Sequence, residues 1–190
     1  MAFLAFLARD HFSNPDSRLS TMITKDDILE SILFECDIVL HLAKQIPEGG
    51  LDYRQTPDQR SNLEVLRYLS FCGVAGALAM INSGWDEYKR WAEESENLGA
   101  DDIPAAMDRQ KVALRETFAA LTEDDLDRET THPLGHKLTL GRGLFEVPLK
   151  WMAAYRMQLF LGVKGAGNTD VWTPDCWGGV SMSRDDQRAE

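Results

Sequence analysis

Two aromatic side chains and a neighbouring cation are the residues whose spacing best suits chemistry. The segment KWMAAYRMQLF, residues 150–160, is typical of a helix, and Trp151 and Tyr155 lie one turn apart on the same face. Arg156 and Gln158 follow in an otherwise apolar stretch. Such a set could line a cleft for a small anionic or aromatic ligand, with Arg156 as the charge partner. Aromatic residues on the seam of a helical bundle can also simply fill its core, so both interpretations stay open.

The histidines and cysteines offer little further chemistry. His132 and His136 are four residues apart, but Pro133 and Gly135 between them argue against a helical chelating pair. We interpret them as solvated loop imidazoles, although a turn could bring them together. His41 lies in a predicted helix, either as a hydrogen-bonded structural residue at the rim of the core or facing the bundle centre. The three cysteines are far apart, which predicts no disulfide framework and favours a reducing, cytoplasmic location.

Composition excludes several function classes. A net charge of -11 over 190 residues argues against a nucleic-acid partner, because binding phosphates requires clustered basic residues. No apolar stretch approaches the roughly 20 residues that span a bilayer, so we predict no membrane association. The chain contains no P-loop, no G-x-S-x-G and no H-E-x-x-H. We expect residues 1–22 to form a flexible extension.

Four long helices are predicted to position the candidate residues. Thr24-Lys-Asp-Asp and Ser61-Asn-Leu-Glu are capping boxes that open the first two, which end near Ile46 and Met80. The third begins at Asp101 or Asp102 with Pro104 in its first turn, and its core face includes Val112. The fourth runs over residues 144–163, with Pro148 in its first turn or at a kink.

The connections between these helices are turn-rich. Residues 85–98 form a short amphipathic segment, and residues 137–140 alternate as in a short ribbon. We therefore predict an all-α four-helix bundle over residues 23–165, with a crossover connection between the second and third helices. Residues 166–190 form a tail that Trp172 and Trp177 hold partly against the bundle.

This order of elements resembles the DinB/YfiT-like family of small four-helix proteins over roughly residues 23–165. The most specific part is Trp151-Met-Ala-Ala-Tyr155-Arg156-Met-Gln158-Leu159, where family members usually carry His-x-x-x-His-Arg-x-Gln-Leu. The resemblance places a third family histidine in the second helix, at Tyr68. It implies a divalent metal such as nickel or zinc, and its characterised members include metal-dependent thiol transferases.

The chain departs from the family pattern at all three ligand positions. Tyr68, Trp151 and Tyr155 replace the histidines, and an indole nitrogen can only donate a hydrogen. We therefore predict no metal and no cofactor, and a non-catalytic or small-ligand-binding protein whose former metal-site cleft contains Tyr68, Trp151, Tyr155, Arg156 and His41. The alternative is a thiol transferase or hydrolase that uses an unrecognised metal set or the tyrosines. By analogy with relatives and from its apolar helices, we expect a homodimer.

Overall fold

A computed structural model describes residues 22–183. The expectations for residues 1–21 and 184–190 therefore lie outside the described residues. Eight α-helices account for more than half of these described residues, at Lys25–Ala43 (α1), Asn62–Leu69 (α2), Cys72–Asn82 (α3), Asp86–Ser95 (α4), Ile103–Ala119 (α5), Leu140–Leu144 (α6), Lys150–Gly165 (α7) and Thr173–Gly178 (α8). Strands β1 (Glu129–Thr131) and β2 (Lys137–Thr139) form one antiparallel hairpin, and single 3-10 turns lie at Gly50–Asp52, Ala100–Asp102 and Asp124–Asp127.

The long helices form a bundle, as the all-α prediction requires. α1 packs against both α5 and α7, while α2 packs on α7 and α3 packs on α5. The order around the bundle is therefore α1, α5, α2–α3 and α7. α4 lies in the connection between α3 and α5 and packs on α3. The core between these helices is apolar, and its largest members include Phe118, Ile32, Met107 and Leu159, all fully buried.

Both predicted capping boxes are present. The Thr24 and Ser61 side chains accept the backbone N–H three residues on, and Asp27 and Glu64 accept the N–H of Thr24 and Ser61 in return. The first helix therefore starts where the sequence predicts, at Lys25.

The second predicted helix is in fact two, which corrects the expectation of one helix to Met80. α2 and α3 meet at an angle of 42°. The buried side chain of Gln110 stabilises the break, since its Oε1 accepts the N–H groups of Gly73 and Val74 and its Nε2 donates to the carbonyl oxygen of Leu69. Those backbone groups therefore find partners outside the helices, which is what permits a break inside the core.

Two further helix predictions need correction. Val112 of α5 is 53% exposed, so it does not belong to the core face, which includes the predicted Leu114 and also the polar Gln110. The fourth helical segment starts at Leu140 rather than at Leu144. It widens to a π-helical turn at Phe145–Leu149, where Lys150 N–H donates to the carbonyl oxygen of Phe145. Pro148 lies in this turn and has no N–H to donate, which explains why the regular pattern is interrupted there.

No single helix among residues 22–183 has the length and apolar character needed to cross a membrane. α2 and α3 meet those two criteria only when taken together as a bent pair.

Candidate functional site

A continuous group of aromatic rings lies where α2, α3, α4 and α7 meet. We call it the aromatic cluster, and it consists of Tyr68, Phe71, Trp85, Tyr88, Trp151 and Tyr155. Tyr68 of α2 and Tyr155 of α7 are in direct contact, with 4.4 Å between ring centroids and 53° between ring planes. The two rings are therefore packed directly on each other, with a geometry between stacked and edge-to-face.

Trp151 joins the cluster through α4. It stacks on Trp85 at 6.2 Å and meets the edge of Tyr88 at 6.1 Å between centroids. Tyr88 in turn contacts Phe71 at 5.6 Å. The structure therefore brings Tyr68, Trp151 and Tyr155 into one cluster, and α4 supplies the rings that connect them.

A cleft of about 620 Å³ opens beside the aromatic cluster, between α2 and α4. Tyr68, Phe71 and Tyr88 form its aromatic wall, while Trp151 and Tyr155 contact that wall from outside the lining. The cleft is also lined by two arginines, Arg60 and Arg67, and by the carboxylates of Glu64, Glu93 and Glu96.

Arg60 lies over two rings of the cluster. Its guanidinium carbon is 4.7 Å from the centroid of Tyr68 and 5.2 Å from that of Tyr155, within cation–π range. No ion pair among residues 22–183 includes Arg60. Arg67 is partly engaged, since its Nε donates to the carbonyl oxygen of Leu98 at 2.7 Å. The cleft therefore has one exposed cation that is held by rings and not by a carboxylate.

A buried hydroxyl also lines the cleft. Ser95, at the end of α4, is 1% exposed, and its Oγ has no hydrogen-bond partner among residues 22–183. A buried hydroxyl without a partner costs free energy, so a solvent atom that reached it would be stabilised.

The phenols of the wall are held neutral. Burial raises the pKa of Tyr68 far above its usual value, and neighbouring Cys72 and the hydrogen bond with Tyr88 raise it further. Burial also raises the pKa of Tyr88. Both hydroxyls therefore act as hydrogen-bonding groups near neutral pH, and not as phenolate bases or ligands.

Arg156 is placed elsewhere. It is 4% exposed, and its Nε donates to Oε2 of Glu35 on α1 at 2.5 Å. Its Nη1 donates to the carbonyl oxygen of Cys176 at 2.5 Å, and its guanidinium lies over the ring of Trp177. Arg156 thus connects α7 to α1 and α8, on a face of α7 different from that of Tyr155.

His41 belongs to the same C-terminal contact. Its Nε2 lies 2.8 Å from Oδ1 of Asp175, which is 2% exposed. Ser181 Oγ donates to the same oxygen, and Trp172 N–H donates to Oδ2. Of the five residues predicted to share a cleft, Tyr68, Trp151 and Tyr155 lie together, whereas Arg156 and His41 hold α8 against α1.

The hairpin histidines are closer to each other than the sequence led us to expect. The rings of His132 and His136 stack with 4.4 Å between centroids and 19° between planes. The β-hairpin turn brings the two rings together, which is the alternative that the sequence left open, while His136 stays exposed and His132 is half-buried.

Sequence patterns did not point to Arg60, Tyr88 or Ser95. Arg60 immediately precedes the capping residue Ser61, and nothing in that loop marks it as a ligand group. Tyr88 and Ala92 do share one face of α4 with Trp85, the residue just before the helix, and this spacing was the signal that the sequence offered.

Known proteins resemble the chain at two levels, through a family model and through a solved structure of similar fold. The family model of the DinB superfamily matches residues 35–147, more than half of the chain. Among solved structures, a DinB-like protein from Bacillus subtilis, YjoA, superposes with a TM-score of 0.59 at 20% sequence identity, covering 77% of this chain and 95% of that one. At that identity the likeness concerns the fold alone. No curated protein matches the chain at a significant level.

Proposed function

The chain belongs to the DinB superfamily, and we propose that it is a member that binds a small molecule in the cleft beside its aromatic cluster, without the three-histidine metal site. The observation that carries the proposal is the position of Arg60, exposed and unpaired among the described residues, over the rings of Tyr68 and Tyr155.

The three positions that the resemblance assigns to histidines do not fit a metal ion. Trp151 can only donate through its indole N–H, and the buried Tyr68 phenol keeps its proton. The rings of Tyr68 and Tyr155 are also in direct contact. Two phenols and an indole are a poor set for zinc or nickel, which prefer imidazole or thiolate. We therefore propose no metal ion at these three positions.

The cleft selects for a particular chemical class. Its wall of Tyr68, Phe71 and Tyr88 suits a flat aromatic or apolar body. Arg60 at the side of that wall suits an anionic group, because a guanidinium already held over rings loses little further freedom on binding. Ser95 also lines the cleft, and its buried hydroxyl has no partner among the described residues. We therefore propose an aromatic anion of modest size, whose charged group lies at Arg60 and not beside the Glu93 and Glu96 carboxylates that also line the cleft.

The rival function, a thiol transferase or hydrolase that uses the tyrosines, finds less support. A phenolate base needs a lowered pKa, whereas the pKa values of Tyr68 and Tyr88 are raised. The chain's own thiols are poor nucleophiles as well, since burial raises the pKa of Cys36 to about 12 and that of Cys72 well above its usual value.

A fluorescence titration with anilinonaphthalene sulfonate, an aromatic sulfonate, tests the binding site. We expect saturable binding to the full chain that weakens about tenfold in Arg60→Ala, because the charge partner of the sulfonate is lost. Arg90→Ala is the matched control: this arginine is 56% exposed on α4, and it does not line the cleft. Unsaturable binding, or equal weakening in the two variants, would contradict the proposal.

Metal analysis tests the rival. The His136→Ala variant, purified without added metal, excludes any ion held by the hairpin histidines and should contain no stoichiometric transition metal. A metal that persists in this variant and disappears when Tyr155→Phe is added to it would place a metal site in the aromatic cluster and refute the metal-free function.

A further inference from the structure

The β1–β2 hairpin fixes two histidines side by side. His132 N–H donates to the carbonyl oxygen of His136 at 2.8 Å, and Gly135 N–H donates to that of His132 at 2.7 Å. Gly135 has φ +88°, a left-handed conformation that favours glycine and closes the turn. These backbone bonds, and not a helix, determine the spacing of the two rings, which stack at 4.4 Å.

A carboxylate from another element approaches the histidine pair. Glu146 lies in the π-helical turn Phe145–Leu149 that precedes α7. One ligand-type atom from each of His132, His136 and Glu146 lies within 4.8 Å of the other two. Around a tetrahedral ion, neighbouring ligand atoms lie roughly 3.3 Å apart, given metal–ligand distances of about 2.0–2.1 Å. Small side-chain rotations therefore suffice for the three ligand atoms to bind one ion.

We propose that His132, His136 and Glu146 form a binding site for a first-row divalent metal ion of the zinc type, separate from the family's three-histidine position. Two imidazoles and one carboxylate are a preferred ligand set for such ions, and three protein ligands leave a fourth position for water or another donor. His132 also lies in the wall of a cavity of about 180 Å³ with Ser83 and Trp85, so space for that donor adjoins the histidine.

Two existing contacts shape how the ion binds. Arg142 Nε donates to Oε1 of Glu146 at 2.8 Å, which orients the carboxylate in the way that outer contacts orient metal ligands. Leu134 N–H donates to Nδ1 of His132 at 3.1 Å. A neutral imidazole that binds a metal through Nε2 carries its proton on Nδ1, and one that binds through Nδ1 has no lone pair left there. Metal binding therefore breaks the Leu134 hydrogen bond, which gives the site a local signature.

Titration of the full chain, without an affinity tag and after treatment with a chelator, tests the site. Zn²⁺ is followed by calorimetry, and Co²⁺ by its visible absorption, which reports a four-coordinate nitrogen and oxygen environment. We expect one ion per chain, with binding weakened about tenfold or more in His136→Ala and in Glu146→Gln. Because His136 is exposed and Glu146 only half-buried, both variants should keep the parent's melting temperature.

Two matched controls separate this site from adventitious binding. Glu129→Gln removes a carboxylate from the same hairpin, and His11→Ala removes a histidine outside the described residues; neither should change affinity. In NMR spectra, Zn²⁺ should shift the Leu134 amide of the parent and leave it unmoved in His136→Ala. Absence of binding, equal binding by His136→Ala and Glu146→Gln, or an equal loss in either control would overturn the proposal.

Discussion

Gln110 accepts a hydrogen bond from the backbone N–H of Gly73 at 2.9 Å, across the break between α2 and α3. The same oxygen accepts Val74 N–H, and the amide nitrogen donates to the carbonyl oxygen of Leu69. One fully buried polar side chain thus serves the end of one helix and the start of the next. This arrangement allows α2 to carry Tyr68 against α7 while α3 continues at 42° along α5.

Replacement of Gln110 by leucine should therefore be costly. Two backbone N–H groups and one carbonyl oxygen would be left unpaired in the core, and we expect a loss of about 3 kcal/mol in the free energy of unfolding, measured in urea. Gln59→Leu, at an exposed loop position, is the control and should change it by less than about 0.5 kcal/mol. A Gln110→Leu chain as stable as the parent would show that α2 and α3 do not need this amide.

Gly162 allows α7 to approach Asn62 of α2. A Cβ at this position would lie 1.9 Å from Oδ1 of Asn62, and Asn62 cannot withdraw without losing the bond from its Nδ2 to the carbonyl oxygen of Gly50. Gly162→Ala should thus lower the free energy of unfolding by about 2 kcal/mol, in spite of the higher helix propensity of alanine.

A double-mutant cycle identifies the cause of that loss. In an Asn62→Ala background the added methyl group no longer meets the Asn62 amide. Gly162→Ala should therefore lower the free energy of unfolding much less than it does in the parent. Equal effects in the two backgrounds would mean that the glycine matters for another reason.

The sequence predicted those parts of the fold that depend on local interactions. The capping boxes at Thr24 and Ser61 need only four residues each, and the apolar stripes of the long helices repeat at helical spacing. The break at residues 70–71 depends on Gln110, which is about forty residues away in sequence. No local pattern carries that information.

In the candidate site, too, only the residues related by local spacing or by the family resemblance could be predicted from the sequence. Trp151 and Tyr155 could be paired from their spacing, and the resemblance supplied Tyr68; the structure places all three in the aromatic cluster. Arg156 could not be placed, because its partner Glu35 lies on α1, 121 residues earlier. An arginine beside aromatic residues in sequence looks the same whether it faces a cleft or a buried carboxylate.

Acid should weaken the start of α2. Arg54 and the N–H of Ser61 hold the pKa of Glu64 down at about 2, against an ordinary value of 4.5. Because the folded-state pKa is the lower one, this carboxylate stabilises the fold above about pH 4.5 and loses that effect as the pH falls toward 2. Glu64 is 38% exposed, so solvent screens part of the interaction.

Melting temperatures measured across this pH range provide the check. Glu64→Gln should melt below the parent at neutral pH and approach it at the acid end. Asp58→Asn is the control, because it removes a carboxylate that lies before the capping box. The difference between its melting temperature and that of the parent should not shrink at acid pH. A constant offset for Glu64→Gln would contradict the assigned role of its charge.

Arg156 should act on the C-terminal segment and not on the ligand cleft. Arg156→Ala would leave Glu35, which is 13% exposed, and the carbonyl oxygen of Cys176 without their charged partner, at a cost of about 3 kcal/mol. The loss should appear as faster amide hydrogen exchange over α8 and residues 179–183, since Arg156 and the His41–Asp175 contact together hold that segment on α1. His41→Ala should accelerate exchange in the same segment.

The same variants separate the two roles assigned to this arginine. If Arg156 only positions α8, folded Arg156→Ala should bind anilinonaphthalene sulfonate as tightly as the parent does, whereas Arg60→Ala should not. Weakened binding in Arg156→Ala with unchanged exchange over α8 would instead place its guanidinium in the ligand site, because a group that contacts the ligand changes affinity without releasing a helix.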